Sequence, residues 1–220
     1  MESVQHSTTP GGRWVLVSPE RLESWLAGFA GRHGSTRWDV DSHYVMGTGA
    51  DGAWAECEVP FPPLRVDSGA PYGGLIAHAL SERTVGVLLV RLGGYAAGVF
   101  KGDQLLASKV GSRLVHGRTA AGGWSQQRFA RRREGQARAA IEAAVEVAGR
   151  ILLPVIADLD AVVAGGDRRA VHAVLADARL EKLVPLVTGR LLDVPDPKQR
   201  ILVEAHETAL KVRIRVQDPD

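Results

Sequence analysis

The sequence predicts an α/β (α+β) fold, a mixed sheet covered by helices, preceded by a small N-terminal α+β region. Three observations carry this. Three apolar runs between residues 84 and 110 are separated by two-residue glycine turns, the signature of an antiparallel meander. Downstream, segments with helical period alternate with short β-branched runs, which puts helices over a sheet. At 220 residues, 45% apolar and 24% charged, the chain is long and apolar enough to bury a core.

Residues 1–12, MESVQHSTTPGG, are polar and carry no apolar core of a signal peptide; they are expected to be a disordered tail. Residues 13–17 (RWVLV) suit a short strand. Ser18 then offers an N-cap, Pro19 fits the first helical position and Glu20 favours the positive end of the helix dipole. Leu22, Trp25, Leu26 and Phe29 recur at steps of three and four, predicting a helix to about Ala30 that ends towards Gly31 and Gly34. From Ser42 to Val59 alternation around a Gly49–Gly52 turn predicts a hairpin. These elements form a region spanning 13–60. Residues 61–80 are rich in proline and glycine and read as a linker.

The main domain is expected over 81–217. Its meander runs through Thr84–Leu92, Tyr95–Phe100 and Gln104–Val110, after which Gly111–Gly123 leaves the sheet. A long helix follows from close to Ser125 to about Leu152, with Phe129, Ala137, Ile141, Val145, Ala148 and Leu152 on one stripe. Gly135 interrupts it at a cost of about 1 kcal/mol against alanine, a candidate kink or ordering boundary. Pro154 stops it. Ala161–Ala164 reads as a buried strand, Asp167 as the cap of a helix bearing Val171, Val174 and Leu175, and Leu183–Leu192 as one or two further strands. A helix with Ile201, Leu202, Ala205 and Leu210 and a last strand with Val212, Ile214 and Val216 complete the order.

Familiar catalytic sets are absent from this pattern. The seven histidines (6, 33, 43, 78, 116, 172, 206) show no ligand spacing, no GxSxG elbow occurs, and the glycines belong to neither a P-loop nor a GxGxxG fingerprint. The single cysteine, Cys57, excludes an internal disulfide framework and fits a reducing cytoplasm. No run approaches the roughly 18 apolar residues of a membrane span. Asp158 and Asp160 form a DxD pair that reads as a solvated connection, and Glu204 and Glu207 as helix surface.

The stretch that stands out is Gly117–Gln136, GRTAAGGWSQQRFARRREGQ. Between Gly111 and Gln136 six arginines (113, 118, 128, 131, 132 and 133) meet one acid, Glu134, a balance of +5 in a chain whose net charge is +2. Read blandly, it is a surface loop before an amphipathic helix with a solvated arginine face. Two features argue for more. Gly122-Gly123 removes side chains where backbone must come close to something. Arg128, Arg131, Arg132 and Arg133 stand near a helix N-terminus, where the dipole disfavours cations, so phosphate contacts with RNA or DNA supply the missing reason. Trp124 is suited to stack on a base or sugar.

GGWSQQRFARRR resembles the GGQSxxRFxRxR loop and helix in the middle domain of the archaeal and eukaryotic peptide-chain release factor. It is more similar still to the release-factor-like peptidyl-tRNA hydrolases of ribosome rescue and quality control, the VLRF family, in which the glutamine is displaced to give GxxQ. The resemblance implies a release-factor middle-domain, RNase H-like architecture over 81–217. Gly122 and Gly123 match the two glycines, Ser125 the serine, Arg128-Phe129 the RF pair, and Arg131 and Arg133 the later arginines, with Arg118 just upstream. Trp124 stands where the release factor has its glutamine, so Gln126 takes the catalytic position, with Gln127 as the neighbouring alternative.

The resemblance implies hydrolysis of the ester joining nascent peptide to tRNA, with the large ribosomal subunit, at its peptidyl transferase centre, and peptidyl-tRNA as partners. It implies no cofactor, no metal and no membrane. A non-catalytic ribosome- or RNA-binding module of the same fold is the second reading, and an RNase H-like nuclease using Asp158 and Asp160 the third.

Overall fold

The computed structural model describes residues 12–91, 93–113 and 125–219, and of residues 125–133 it describes the backbone. In chain order the elements are β1 (Arg13–Val17), α1 (Pro19–His33), β2 (Arg37–Val40), β3 (Tyr44–Thr48), β4 (Trp54–Glu58) and α2 (Leu75–Leu80). The meander follows as β5 (Thr84–Arg91), β6 (Gly94–Lys101) and β7 (Gln104–Ser112). Then come α3 (Ser125–Leu152), β8 (Ala161–Gly166), α4 (Arg168–Leu175), α5 (Gln199–Leu210) and β9 (Val212–Gln217). Two compact units result, one comprising the chain up to Ser81 together with the segment from Leu210 onward, the other Glu82–Ala209.

The first unit is a five-stranded antiparallel sheet in the order β1-β9-β4-β3-β2. Its strands alternate: Val45, Ala55, Cys57, Val212, Ile214 and Val216 enter the core, while Trp14 and Leu16 stay exposed on the other face. Leu22, Leu26 and Phe29 of α1 are fully buried against this core. α1 runs one turn past its expected end because His33, four residues after Phe29, extends the buried stripe and bonds Asp51 at 2.8 Å. Gly34, at φ 74°, then closes the helix.

Two expectations about the partition change. Residues 61–80, expected as a linker, place Leu64, Leu75 and Ala79 in the first unit's core, with α2 inside the stretch. The last strand, grouped by its place in the sequence with the second domain, lies between β1 and β4 of the first. Apolar alternation identifies a strand but carries no information about which sheet receives it.

The second unit has the order β7-β6-β5-β8, with β5, β6 and β7 antiparallel and β8 parallel to β5. This is the mixed sheet that was expected. One face, bearing Leu88, Val90, Tyr95, Ala97 and Val99, packs under α3 and α4. The other is covered by α5, whose Leu202 comes so close to Gly98 that a Cβ there would lie 2.7 Å from it. α3 starts at Ser125, ends at Leu152 and is continuous through Gly135, so the candidate kink does not form. Asp167 caps α4 as expected, its carboxylate accepting from the Ala170 N–H at 2.9 Å.

The strands expected within 183–192 are not formed. Ala178–Leu186 is a 3-10 segment burying Leu180 and Leu183 at a step of three, and only isolated bridges follow, Val187 to Val162 and Leu192 to Gly165. Pro185 cannot donate to a ladder, and Gly189, at φ 74°, turns the chain out of an extended path.

Candidate functional site

The second sheet and α3 frame the arginine-rich stretch from both sides. β7 ends at Ser112, and the Arg113 N–H bonds the Gly93 carbonyl oxygen at 2.8 Å, tying the exit of β7 to the β5–β6 turn. Gly111 makes this exit fit, because a Cβ there would stand 2.5 Å from the Tyr95 ring, which lies across the end of β7. Of the residues singled out, Arg118, Gly122, Gly123 and Trp124 lie outside the described residues. The backbone of Ser125, Gln126, Gln127 and Arg128 forms the opening of α3, and Arg131, Arg132 and Arg133 follow on the same helix.

α3 is anchored at its far end. Leu152 and Ala148 are fully buried, Val145 and Ala144 nearly so, and Leu152 packs beside Gly86 near the start of β5. The 28 residues of α3 span about 42 Å, whereas the eight of β5 span about 26 Å. With Leu152 at the amino end of β5, the excess length falls at the other end, where β5 and β7 finish. The first turns of α3 therefore extend beyond the sheet on the side from which the glycine-containing segment departs.

An ionic clasp holds the middle of this helix. Arg179 donates to both carboxylate oxygens of Glu142 at 2.7 and 2.8 Å, and its Nε donates to Asp177 at 2.8 Å. The hydrogen bonds from Arg179 hold the Asp177 carboxyl down to about 2 and lower that of Glu142 as well.

Other chemistry finds no assembled site among the described residues. Asp160 accepts the Thr84 N–H at 2.7 Å and returns its own N–H to the Thr84 carbonyl, so the DxD aspartate fastens the starts of β5 and β8 together. Glu204 pairs with Arg200 one turn away at 2.8 Å. His78 bonds the Pro60 carbonyl, and His206 bonds the Gly102 carbonyl while stacked 4.0 Å from Phe100. Burial lowers the affinity of His206 for a proton. Cys57 is fully buried, which pushes its thiol far up and leaves it unreactive. No group of three or more His, Cys, Asp or Glu suited to a metal ion occurs among the described residues. Nor is any helix among them long and apolar enough to cross a membrane.

Sequence reading missed a second collection of cations, Arg91, Lys198 and Arg200 along one cleft and Arg168 and Arg190 along another. They are spread over more than a hundred residues, and only the sheet topology unites them.

A family model described as Actinobacteria/chloroflexi VLRF1 release factor matches residues 83–215, more than half of the chain. Among solved structures, the crystal structure of the archaeal translation termination factor aRF1 is 18% identical, with a TM-score of 0.46, over 74% of this chain and 48% of its own. A structure described as an archaeal protein is 17% identical, with a TM-score of 0.38, over 72% of this chain and 48% of its own. The chain thus spans about half the length of the solved structures it matches. No curated protein matches it.

Proposed function

The chain belongs to the Actinobacteria/chloroflexi VLRF1 release-factor family, and from that premise we propose that it is a peptidyl-tRNA hydrolase of ribosome rescue. It acts in the cytoplasm on stalled ribosomes or large subunits, where it cleaves the ester between nascent peptide and tRNA. The observation that carries this reading is the family match, whose span takes in the GGWSQQRF motif at residues 122–129.

The chemistry suits an amide side chain. Gln126 has no pKa near neutrality and so is no general base. It holds a water in line with the ester carbonyl, or its backbone N–H meets the developing oxyanion, and either requires positioning rather than proton transfer. Gly122 and Gly123 keep the approach to the peptidyl transferase centre slim. Arg118, Arg128, Arg131, Arg132 and Arg133 bind RNA phosphates around it, and no metal or cofactor takes part.

One observation favours a second reading, a non-catalytic ribosome-binding module: Trp124 occupies the place where the release factor has its glutamine. Peptide release from peptidyl-tRNA on isolated large subunits separates the two. The wild type releases peptide and Gln126→Ala is slower by about 100-fold or more, the cost of losing one transition-state contact. Unchanged release by Gln126→Ala with loss in Gln127→Ala moves the role by one residue. Salt-sensitive subunit binding without release by the wild type establishes the binding module instead.

A further inference from the structure

Six cations from five separate stretches of chain, Arg91, Arg113, Arg168, Arg190, Lys198 and Arg200, are brought by the second sheet to one of its ends. β5 finishes at Arg91, β7 at Ser112 opposite Gly94, and β8 at Gly166 beside Val90. Leu192 bridges to Gly165, and Pro197 sits against Gly94, which places the starts of α4 and α5 at the same end. Arg91, Lys198 and Arg200 line an open cleft of about 380 Å³ there, together with Asp196. Arg168 and Arg190 line a second cleft of about 200 Å³ with His172 and Thr188.

Carboxylates neutralise the rim in part: Asp193 pairs with Arg91 at 3.1 Å, Glu204 pairs with Arg200 at 2.8 Å and Asp196 lines the first cleft, while Asp167 is engaged in capping α4. These four carboxylates stand against six cations, so the rim keeps a positive balance. The opposite end of the sheet has the reverse character, carrying Glu82, Asp103, Asp158, Asp160 and Glu207 against Arg83 and Lys101. Arg168, Arg190, Lys198 and Arg200 are exposed, so packing does not require their charge. Gathering like charges on one edge is unfavourable for the isolated fold, and a polyanion held against that edge reverses the sign.

We propose that this rim binds the phosphate backbone of the tRNA half of the substrate. The inference rests on the hydrolase reading above. Arg113, bonded to Gly93, and the start of α3 at Ser125 both lie at this end of the sheet, so the rim and the backbone of Gln126 share one side of the second unit. Of the two halves of the ester in that reading, only the tRNA carries phosphates. The rim grips the acceptor stem while α3 presents the glutamine, so binding to the body of the substrate sets the position of its reacting end.

The test is binding of a fluorescein-labelled RNA hairpin that reproduces a tRNA acceptor stem with its 3′ single strand, measured over a range of salt with the full chain. Lys198→Gln with Arg200→Gln, and separately Arg168→Gln with Arg190→Gln, each weaken binding by about tenfold and lower the salt slope by about two. Arg168→Lys with Arg190→Lys retains affinity, and Lys101→Gln at the opposite end has no effect. Hairpin affinity unchanged in both glutamine pairs overturns the proposal. So does a loss confined to binding of vacant large subunits, which assigns the rim to ribosomal RNA. Rim-dependent hairpin binding in a wild type that releases no peptide sustains the tRNA site and overturns the hydrolase reading instead. Release by the wild type with rim-independent hairpin binding does the reverse.

Discussion

Arg179 grips Glu142 through two parallel hydrogen bonds, 2.7 and 2.8 Å long, joining the 3-10 segment after α4 to the middle of α3. The same guanidinium holds Asp177, so one cation serves two carboxylates. Each carboxyl titrates below its ordinary value, 4.5 for Glu142 and 3.8 for Asp177, the latter falling to about 2. A depressed carboxylate contributes stability above its unfolded pKa and loses it as pH falls through the folded one. Arg179→Met is therefore expected to lower the urea midpoint at neutral pH by a small amount, since all three groups are partly exposed. The gap from wild type should close as pH falls from 4.5 to about 2. A gap that persists in acid would make the loss one of packing.

Gly111 and Tyr95 form a second local constraint, at the exit of β7. A Cβ on Gly111 would meet the Tyr95 ring at 2.5 Å, and that ring belongs to the core beneath α3. Gly111→Ala is expected to cost about 1–3 kcal/mol in equilibrium unfolding, the range for overpacking a core. Combining it with Tyr95→Leu removes the clash and should recover most of the loss. Additive losses in the double variant would place the cause in the backbone.

How much of this was legible in the sequence differs from residue to residue. The meander was readable because Gly93-Gly94 and Gly102-Asp103 punctuate apolar runs at hairpin spacing, and all three strands formed there. The C-terminal end of α3 was readable from the stripe ending at Leu152 and from Pro154 beyond it. β2 was missed because Arg37-Trp38-Asp39-Val40 is four residues of an edge strand, and its Trp38 is accommodated by Gly47 on the neighbouring strand, a contact with no local signature. The DxD pair reads in sequence as a solvated connection, whereas Asp160 bonds Thr84, seventy-six residues away, a partner that no local pattern points to. The rim cations were invisible for the same reason, since charge that is dilute along the chain becomes dense only when strand order brings it together. The arginine-rich motif is the opposite case, dense in sequence, with residues 117–124 outside the described residues and residues 125–133 described by their backbone.

His206 predicts a pH dependence of the second unit's stability. It is 2% exposed; its Nε2 donates to the Gly102 carbonyl oxygen and its Nδ1 has no partner. Burial depresses its pKa below the ordinary 6.5, opposed in part by the Gly102 bond and by Asp103 and Glu207. The unfolded chain thus binds the proton more readily, so stability should be level above 6.5 and fall as pH drops below it. Urea midpoints measured from pH ~8 to ~5 should show this decline in the wild type and a shallower one in His206→Gln, whose amide does not titrate there. Parallel curves would assign the decline to other groups.

Gly135 is exposed, lies within the uninterrupted α3, and has open space where a Cβ would go. Nothing in its surroundings requires glycine, neither a positive φ nor a close approach. Its effect is therefore the loss of backbone entropy on folding, which alanine reduces by restricting the unfolded chain. Gly135→Ala is expected to stabilise the protein by about 0.5–1 kcal/mol, read as a higher urea midpoint with an unchanged slope. Because α3 joins the core around Leu152 to the glutamines at its start, the same substitution also stiffens that link. A midpoint that does not rise would mean that this stretch of α3 is not helical in solution, and the account of α3 as a continuous arm would fail with it.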